Sequence, residues 1–207
     1  MTESLSSSIK TDSRAALVQR GLRLSYFTIA YNTLEAIVSI ASGLVSGSIA
    51  LIGFGIDSAI EVTSSGVSQW RLRRDWDESR RQRVEMVSHR IIGWTFLALA
   101  LYVAVDGIQS LVTREEPEKS LPGIAILVTS VIVMPVLAKA KRRVASSMNS
   151  GALRADAKQT SLCAYLSLIA LTGVALNAAF GLWWADPVAA LAMVPIIAKE
   201  GAEGAMA

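Results

Sequence analysis

The feature that most constrains this chain is a succession of apolar runs of up to about 20 residues, divided by short charged clusters. A helix of about 20 residues rises 1.5 Å per residue and so spans the roughly 30 Å hydrocarbon core of a bilayer. Six runs can be drawn, from about Leu24 to Ser46, Ile49 to Trp70, Ile91 to Val112, Gly123 to Ala138, Ala155 to Leu182 and Asp186 to Ala198. The reading is an all-α integral membrane protein of six transmembrane helices. Residues 23–199 form the transmembrane domain, 1–22 an N-terminal segment and 200–207 a short tail. Hydrophobic residues make up 52% of the chain, which leaves too little polar surface to cover a soluble domain of this size. The first twenty residues are polar and Ser-rich, without the apolar segment of a cleavable secretion signal.

Charge sets the orientation. Arg71, Arg73, Arg74, Arg80, Arg81, Arg83 and Arg90 crowd the connection between the second and third runs, mixed with Asp75, Asp77, Glu78 and Glu85. Lys139, Lys141, Arg142 and Arg143 follow the fourth run as a second basic loop. The opposite connections are the uncharged turn Gly47–Ser48, an acidic loop with Glu115, Glu116 and Glu118, and a turn holding only Asp186. Basic residues collect on the cytoplasmic side of short loops, so both termini are expected in the cytoplasm of a cell-membrane protein. The stretch from Arg71 to Arg90 has no Pro or Gly and reads as helical extensions beyond the bilayer. Trp183 and Trp184 at the outer turn suit an interfacial belt or, equally, lipid-facing packing.

Several classes drop out. The net charge of +3 is modest and its Arg residues sit in loops, which argues against nucleic-acid binding. There is no Gly-rich phosphate loop and no His in the spans for a catalytic triad, so no enzyme is expected. The single cysteine, Cys163, forms no intrachain disulfide and lies within an apolar run. The lone His89 sits at the membrane edge between Ser88 and Arg90 and reads as solvated.

The ionisable residues inside the spans carry the chemistry, because each costs at least a few kcal/mol to insert. Asp57 and Glu61 lie four residues apart, on one helical face and one turn from each other. Two like charges there repel unless a cation bridges them or one binds a proton, which is what a metal-for-proton exchange site requires. Gln159 and Cys163 in the fifth span have the same spacing. From opposite membrane faces, Glu61 lies about 18 Å deep and Cys163 about 12 Å deep in a core of about 30 Å, so the two pairs reach similar depth. Two carboxylates, an amide and a thiolate suit Zn²⁺ first, with Cd²⁺ also drawn by sulfur. Against this stands a structural reading, in which Gln159 and Cys163 only pack or bond between helices.

These residues resemble a known family. The stretch from Asn32 through Gly47, Ser48, Ile49, Ala50 and Leu51 to Asp57, Ser58 and Glu61 is similar to the first two spans of the cation diffusion facilitators, proton-coupled exporters of divalent metals. Ala155, Asp156, Gln159 and Cys163 match the pattern that opens the family's fifth span, and Trp184, Ala185, Asp186, Pro187, Ala190 and Leu191 resemble its outer turn and sixth span. The resemblance covers all six spans in order. Familiar members carry Asp or His followed by Asp in both spans, whereas this sequence has Asp57 with Glu61 and Gln159 with Cys163, a softer and less acidic set. Mn²⁺ would disfavour the thiolate, and Fe²⁺ remains a further candidate. Members usually add a cytoplasmic C-terminal domain that dimerises, while this sequence stops after the sixth span. The expected homodimer therefore forms through the spans or the basic extensions.

Other polar residues have weaker claims. Asn32 and Glu35 share a face of the first span, where Glu35 is either an entry ligand or proton acceptor, or an interhelical hydrogen-bonding group. Asp106 lines an exit or makes a structural contact. Asp156 and Lys158 stand at the cytoplasmic mouth as interfacial anchors or a metal funnel. Asp186, beside Pro187, reads as the cap of the sixth helix. The expectation is a divalent-metal efflux transporter with proton antiport, lipid-embedded, with a passive metal channel or a non-transporting metal-binding scaffold as alternatives.

Overall fold

The computed structural model describes residues 2–73 and 78–206, with side chains described for 16–70, 86–87, 90–151 and 153–206. These residues form α1 (Thr2–Ser46), α2 (Ile49–Arg73), α3 (Glu78–Thr113), α4 (Leu121–Met148), α5 (Gly151–Phe180) and α6 (Ala185–Ala205), with no strand among them. The helices run past the apolar spans wherever the sequence lacks a breaker. Thus α1 is already helical at Thr2, and α3 begins well before Ile91. The reading of Lys139–Arg143 as a loop is corrected: α4 continues to Met148, because nothing after Pro135 interrupts it. The basic side chains from Arg71 to Arg83, and that of His89, lie outside the described residues.

The breaks follow local backbone chemistry. α1 ends at Gly47, with φ of 70°, and α5 at Gly181, with φ of 67°. α4 ends at Asn149, with φ of 48°, where a short polar side chain tolerates the left-handed region. Ser120 caps α4 by accepting from the Gly123 N–H at 3.2 Å, and Ser150 caps α5 by accepting from that of Leu153.

Four helices, α1, α2, α5 and α4, contact one another in a ring, and α3 pairs with α6 against it, touching α2 and α5. Small residues let backbones meet, as expected where lipid supplies no hydrophobic drive between helices. A Cβ on Gly43 would stand 2.9 Å from the Ile52 nitrogen, and one on Gly93 of α3 would overlap the Ala205 nitrogen of α6. Leu51, Phe54, Phe96, Val103, Leu127, Met134, Leu166 and Met193 are fully buried between the helices. Leu34, Ile37 and Leu44 of α1, Trp94, Leu101 and Val105 of α3, and Ile132 and Val136 of α4 face outward. On α1 the buried face is instead polar, with Ser25, Thr28, Asn32, Glu35 and Ser39. A helix with lipid outside and polar groups inside inverts the soluble pattern.

Among the described residues α1, α3, α4 and α5 are long and apolar enough to cross a membrane. α2 and α6 interrupt their apolar stretches with ionisable residues. α2 is enclosed by α1, α3, α5 and α6 and so tolerates its serines and carboxylates, while α6 is charged toward both ends. The turns at Gly47, 114–120 and 181–184 lie on one side, and both termini on the other. The turn side is stitched shut: the Glu118 N–H donates to Ser46 O at 2.7 Å, and Asn177 Nδ2 to Pro117 O at 2.7 Å. Asp186 completes the closure, but it caps α2, not its own helix. Its carboxylate accepts from Ser48 Oγ at 2.5 Å and from the Ile49 and Ala50 N–H groups at 3.0 and 3.5 Å.

Candidate functional site

Asp57, Glu61, Glu35 and Cys163 are all fully buried where α1, α2 and α5 meet. The helical period explains why α2 delivers its two carboxylates together: Phe54, Asp57, Ser58, Glu61, Ser65 and Ser68 share its inner face. Glu35 Oε2 accepts from Ser58 Oγ at 2.8 Å and from Cys163 Sγ at 3.7 Å, joining all three helices. Tyr31 and Ser130 flank it. Both oxygens of Asp57 lack a hydrogen-bond partner among the described residues, as do Glu61 Oε2 and Glu35 Oε1. The Cys163 thiol lies close enough to interact with Asp57 without hydrogen-bond geometry, and within electrostatic range of Glu35 and Glu61.

The structure therefore brings Asp57, Glu61, Cys163 and the accessory Glu35 into one neighbourhood. Their spacing is loose: among the described residues no three His, Cys, Asp or Glu side chains stand close enough to hold a metal ion as placed. Gln159 is buried with its Nε2 unpartnered, and it lines a cavity of about 220 Å³ on the termini side. Ser64, Phe96, Lys158, Glu200 and Glu203 line the same cavity. Gln159, one turn from Cys163 on α5, is the residue that links this cavity to the buried cluster. Asn32 is fully buried, with both polar side-chain atoms unpartnered. Asp106 is only partly buried on α3, interacting with Tyr102 one turn earlier, and has no part in the hydrogen bonds of the cluster.

Asp156 is not a solvated mouth residue. It is 1% exposed and faces Lys141 of α4, whose Nζ lies 3.0 Å from Asp156 Oδ2 and 3.7 Å from Glu61 Oε1. Thr160 donates to Glu61 Oε1 at 2.5 Å, and Ser65 to Asp156 Oδ1 at 2.7 Å. Sequence reasoning missed Lys141, Thr160 and Ser65. The signal for Lys141 was present: Leu127, Ser130, Met134, Leu137, Lys141 and Val144 fall on the buried stripe of one continuous helix. At the mouth Lys158 ion-pairs with Glu200 and Glu203 at 3.0 and 2.6 Å, bridging α5 to α6.

Buried carboxylates thus lie inside an all-helical bundle, with a cavity at Gln159 on one side and hydrogen-bonded closure on the other. The comparisons give the family. Residues 25–206 match the cation efflux transmembrane domain, and the chain belongs to the cation efflux family. It is 27% identical over 188 residues to an uncharacterized transporter of Methanocaldococcus jannaschii, covering 88% of this chain and 65% of that protein. It is 24% identical over 183 residues to an uncharacterized transporter of Synechocystis, covering 86% of this chain and 54% of that protein. The chain thus spans between half and two-thirds of the length of these relatives.

Proposed function

We propose that this chain exports a divalent metal ion, Zn²⁺ first, from the cytoplasm in exchange for protons, with Asp57, Glu61, Gln159 and Cys163 as the metal ligands. The observation that carries the reading is Asp57: a carboxylate with no exposed surface and neither oxygen partnered. A group of that kind is costly to bury and calls for a proton or a metal ion as its counter-charge, and one replacing the other is the elementary act of antiport. Glu61 one turn away and the Cys163 thiol supply further donors, and sulfur favours Zn²⁺ and Cd²⁺ over Mn²⁺. The cavity at Gln159 is the entry from the side of the termini, taken as cytoplasmic from the loop charges. The turn-side stitching at Ser46, Ser48 and Asp186 supports reading this arrangement as the inward-open one.

In the cycle, metal binding from the cavity releases protons from the ligands, the helices rock to expose the site to the turn side, and incoming protons displace the metal. A homodimer through the spans is part of the proposal. The test is Zn²⁺ flux in proteoliposomes with an imposed pH gradient. Flux should depend on the gradient and disappear in Asp57→Ala. Flux that follows the metal gradient alone would make the protein a channel, and flux indifferent to Asp57→Ala would remove the site.

A further inference from the structure

Among the described residues Lys141 is the only buried Lys or Arg. Its ammonium donates to Thr160 Oγ1 at 2.8 Å and to Ser65 Oγ at 3.3 Å, while facing Asp156 at 3.0 Å and Glu61 at 3.7 Å. The two hydroxyls close the ring, because Thr160 donates onward to Glu61 and Ser65 to Asp156. One positive charge from α4 is thereby shared between a carboxylate of α2 and a carboxylate of α5. Stability alone gives little reason for such an arrangement, since apolar residues of similar volume often pack as well without burying charge.

Glu61 belongs to both systems. Its Oε1 serves Thr160 and Lys141, while its Oε2 has no hydrogen-bond partner among the described residues and Asp57 lies one helical turn away. A metal ion that draws on Glu61 must compete with the ammonium for the same carboxylate. We propose that Lys141 is a tethered rival of the transported metal: it neutralises Glu61 and Asp156 while the site is empty, and yields Glu61 to an arriving divalent ion while Asp156 retains it. This rests on the metal reading of Asp57 and Glu61. Lys141 is then a specificity-determining residue. Attraction scales with charge, so a divalent ion outbids the tethered ammonium, whereas Na⁺ or K⁺ brings no more charge than the amine already in place. The tether also keeps the rival at high effective concentration.

The test compares Zn²⁺ affinity, by calorimetric titration of the full chain in detergent, in wild type, Asp156→Asn and the double variant Lys141→Met/Asp156→Asn. In Asp156→Asn the ammonium has only Glu61 to hold, and Zn²⁺ binds about tenfold more weakly, as for the loss of one charged contact. In the double variant Thr160 still donates to Glu61 but no cation holds it, and Zn²⁺ binds about tenfold more tightly than in wild type, with Na⁺ competing measurably. Both variants carry Asp156→Asn, so their difference isolates Lys141. The double variant keeps the buried charges balanced, and Lys141→Gln/Asp156→Asn repeats the test should the Met variant fail to fold. Two affinities that fall together, or neither moving, overturn the proposal, because removing a lysine that does not compete for Glu61 frees no carboxylate for the metal. Binding that survives both Asp57→Ala and Glu61→Gln would instead remove the metal reading on which it rests.

Discussion

Replacing Asp186 by Ala tests how the turn side is held, independently of any transported ion. The carboxylate is 1% exposed and receives Ser48 Oγ at 2.5 Å, Ile49 N at 3.0 Å and Ala50 N at 3.5 Å. The third contact is long and counts for little. The first two are hydrogen bonds to a charged acceptor, each worth about 1.5–3 kcal/mol, so their joint loss is about 3–6 kcal/mol. Ser48 still caps Leu51 at 3.2 Å, which keeps α2 from unwinding and holds the loss to that range. For a chain of this size 1 kcal/mol corresponds to about 2–4 °C, so the metal-free protein in detergent should melt about 6–24 °C lower by far-ultraviolet circular dichroism. Asp186→Asn keeps one acceptor oxygen and should fall between. A drop of less than about 2 °C for Asp186→Ala would refute the reasoning that a residue of α6 caps α2. An Asn variant as unstable as the Ala variant would shift the credit from the hydrogen bonds to the charge at the N-terminus of α2.

Asp57→Asn should melt at or above the wild-type temperature without metal, because an unpartnered buried carboxylate becomes a neutral amide, while its Zn²⁺ titration goes flat. Cys163→Ser should weaken Cd²⁺ more than Zn²⁺ and leave Mn²⁺ nearly unchanged in the same titration. Gly93→Ala drives a methyl against the α6 backbone and should cost about 1–3 kcal/mol in the melting assay, whereas Gly66→Ala, with open space around its Cβ position, should be neutral or mildly stabilising. The Lys158 ammonium beside Glu203 holds that carboxyl below its usual 4.5, so their contact is complete above pH 4.5 and lost as pH falls through the lower value. An NMR titration of the Glu203 carboxyl should place its midpoint below 4.5.

The membrane architecture was legible because a bilayer permits few solutions: apolar runs of the right length must become helices. Depth arithmetic also placed Cys163 level with Glu61, and α5 and α2 do pack together. Helix ends were less legible, since hydropathy marks where lipid stops and a helix continues until a Gly, an Asn or a capping Ser ends it, as at Asn149 and Ser150. Lys141 was hidden by its neighbours. Among Lys139, Arg142 and Arg143 it looks like one more orientation signal, and only the seven-residue recurrence from Ser130 through Leu137 to Val144, continued around Lys141, marks it as internal. Partnership was the least legible property. A residue pattern reports which face of a helix is polar but not which helix covers it, so Asp186 was assigned to the helix that carries it and the pairing of α3 with α6 gave no signal.

The Asp186 contact has a mechanical consequence. α6 is pinned at its turn-side end by buried hydrogen bonds and held at the other by ion pairs between Lys158 and Glu200 and Glu203, where Lys158 is 57% exposed. Exposed pairs of that kind break and re-form easily. The helix, packed backbone to backbone on α3 at Gly93 and Ala205, is therefore a lever that moves together with α3 about its one fixed end. Its 21 residues make an arm of about 30 Å, and a swing of about 10° about the Asp186 pivot carries the free end about 5 Å, close to one helical turn. The motion is greatest where the cavity lies and smallest where the turn side is sealed.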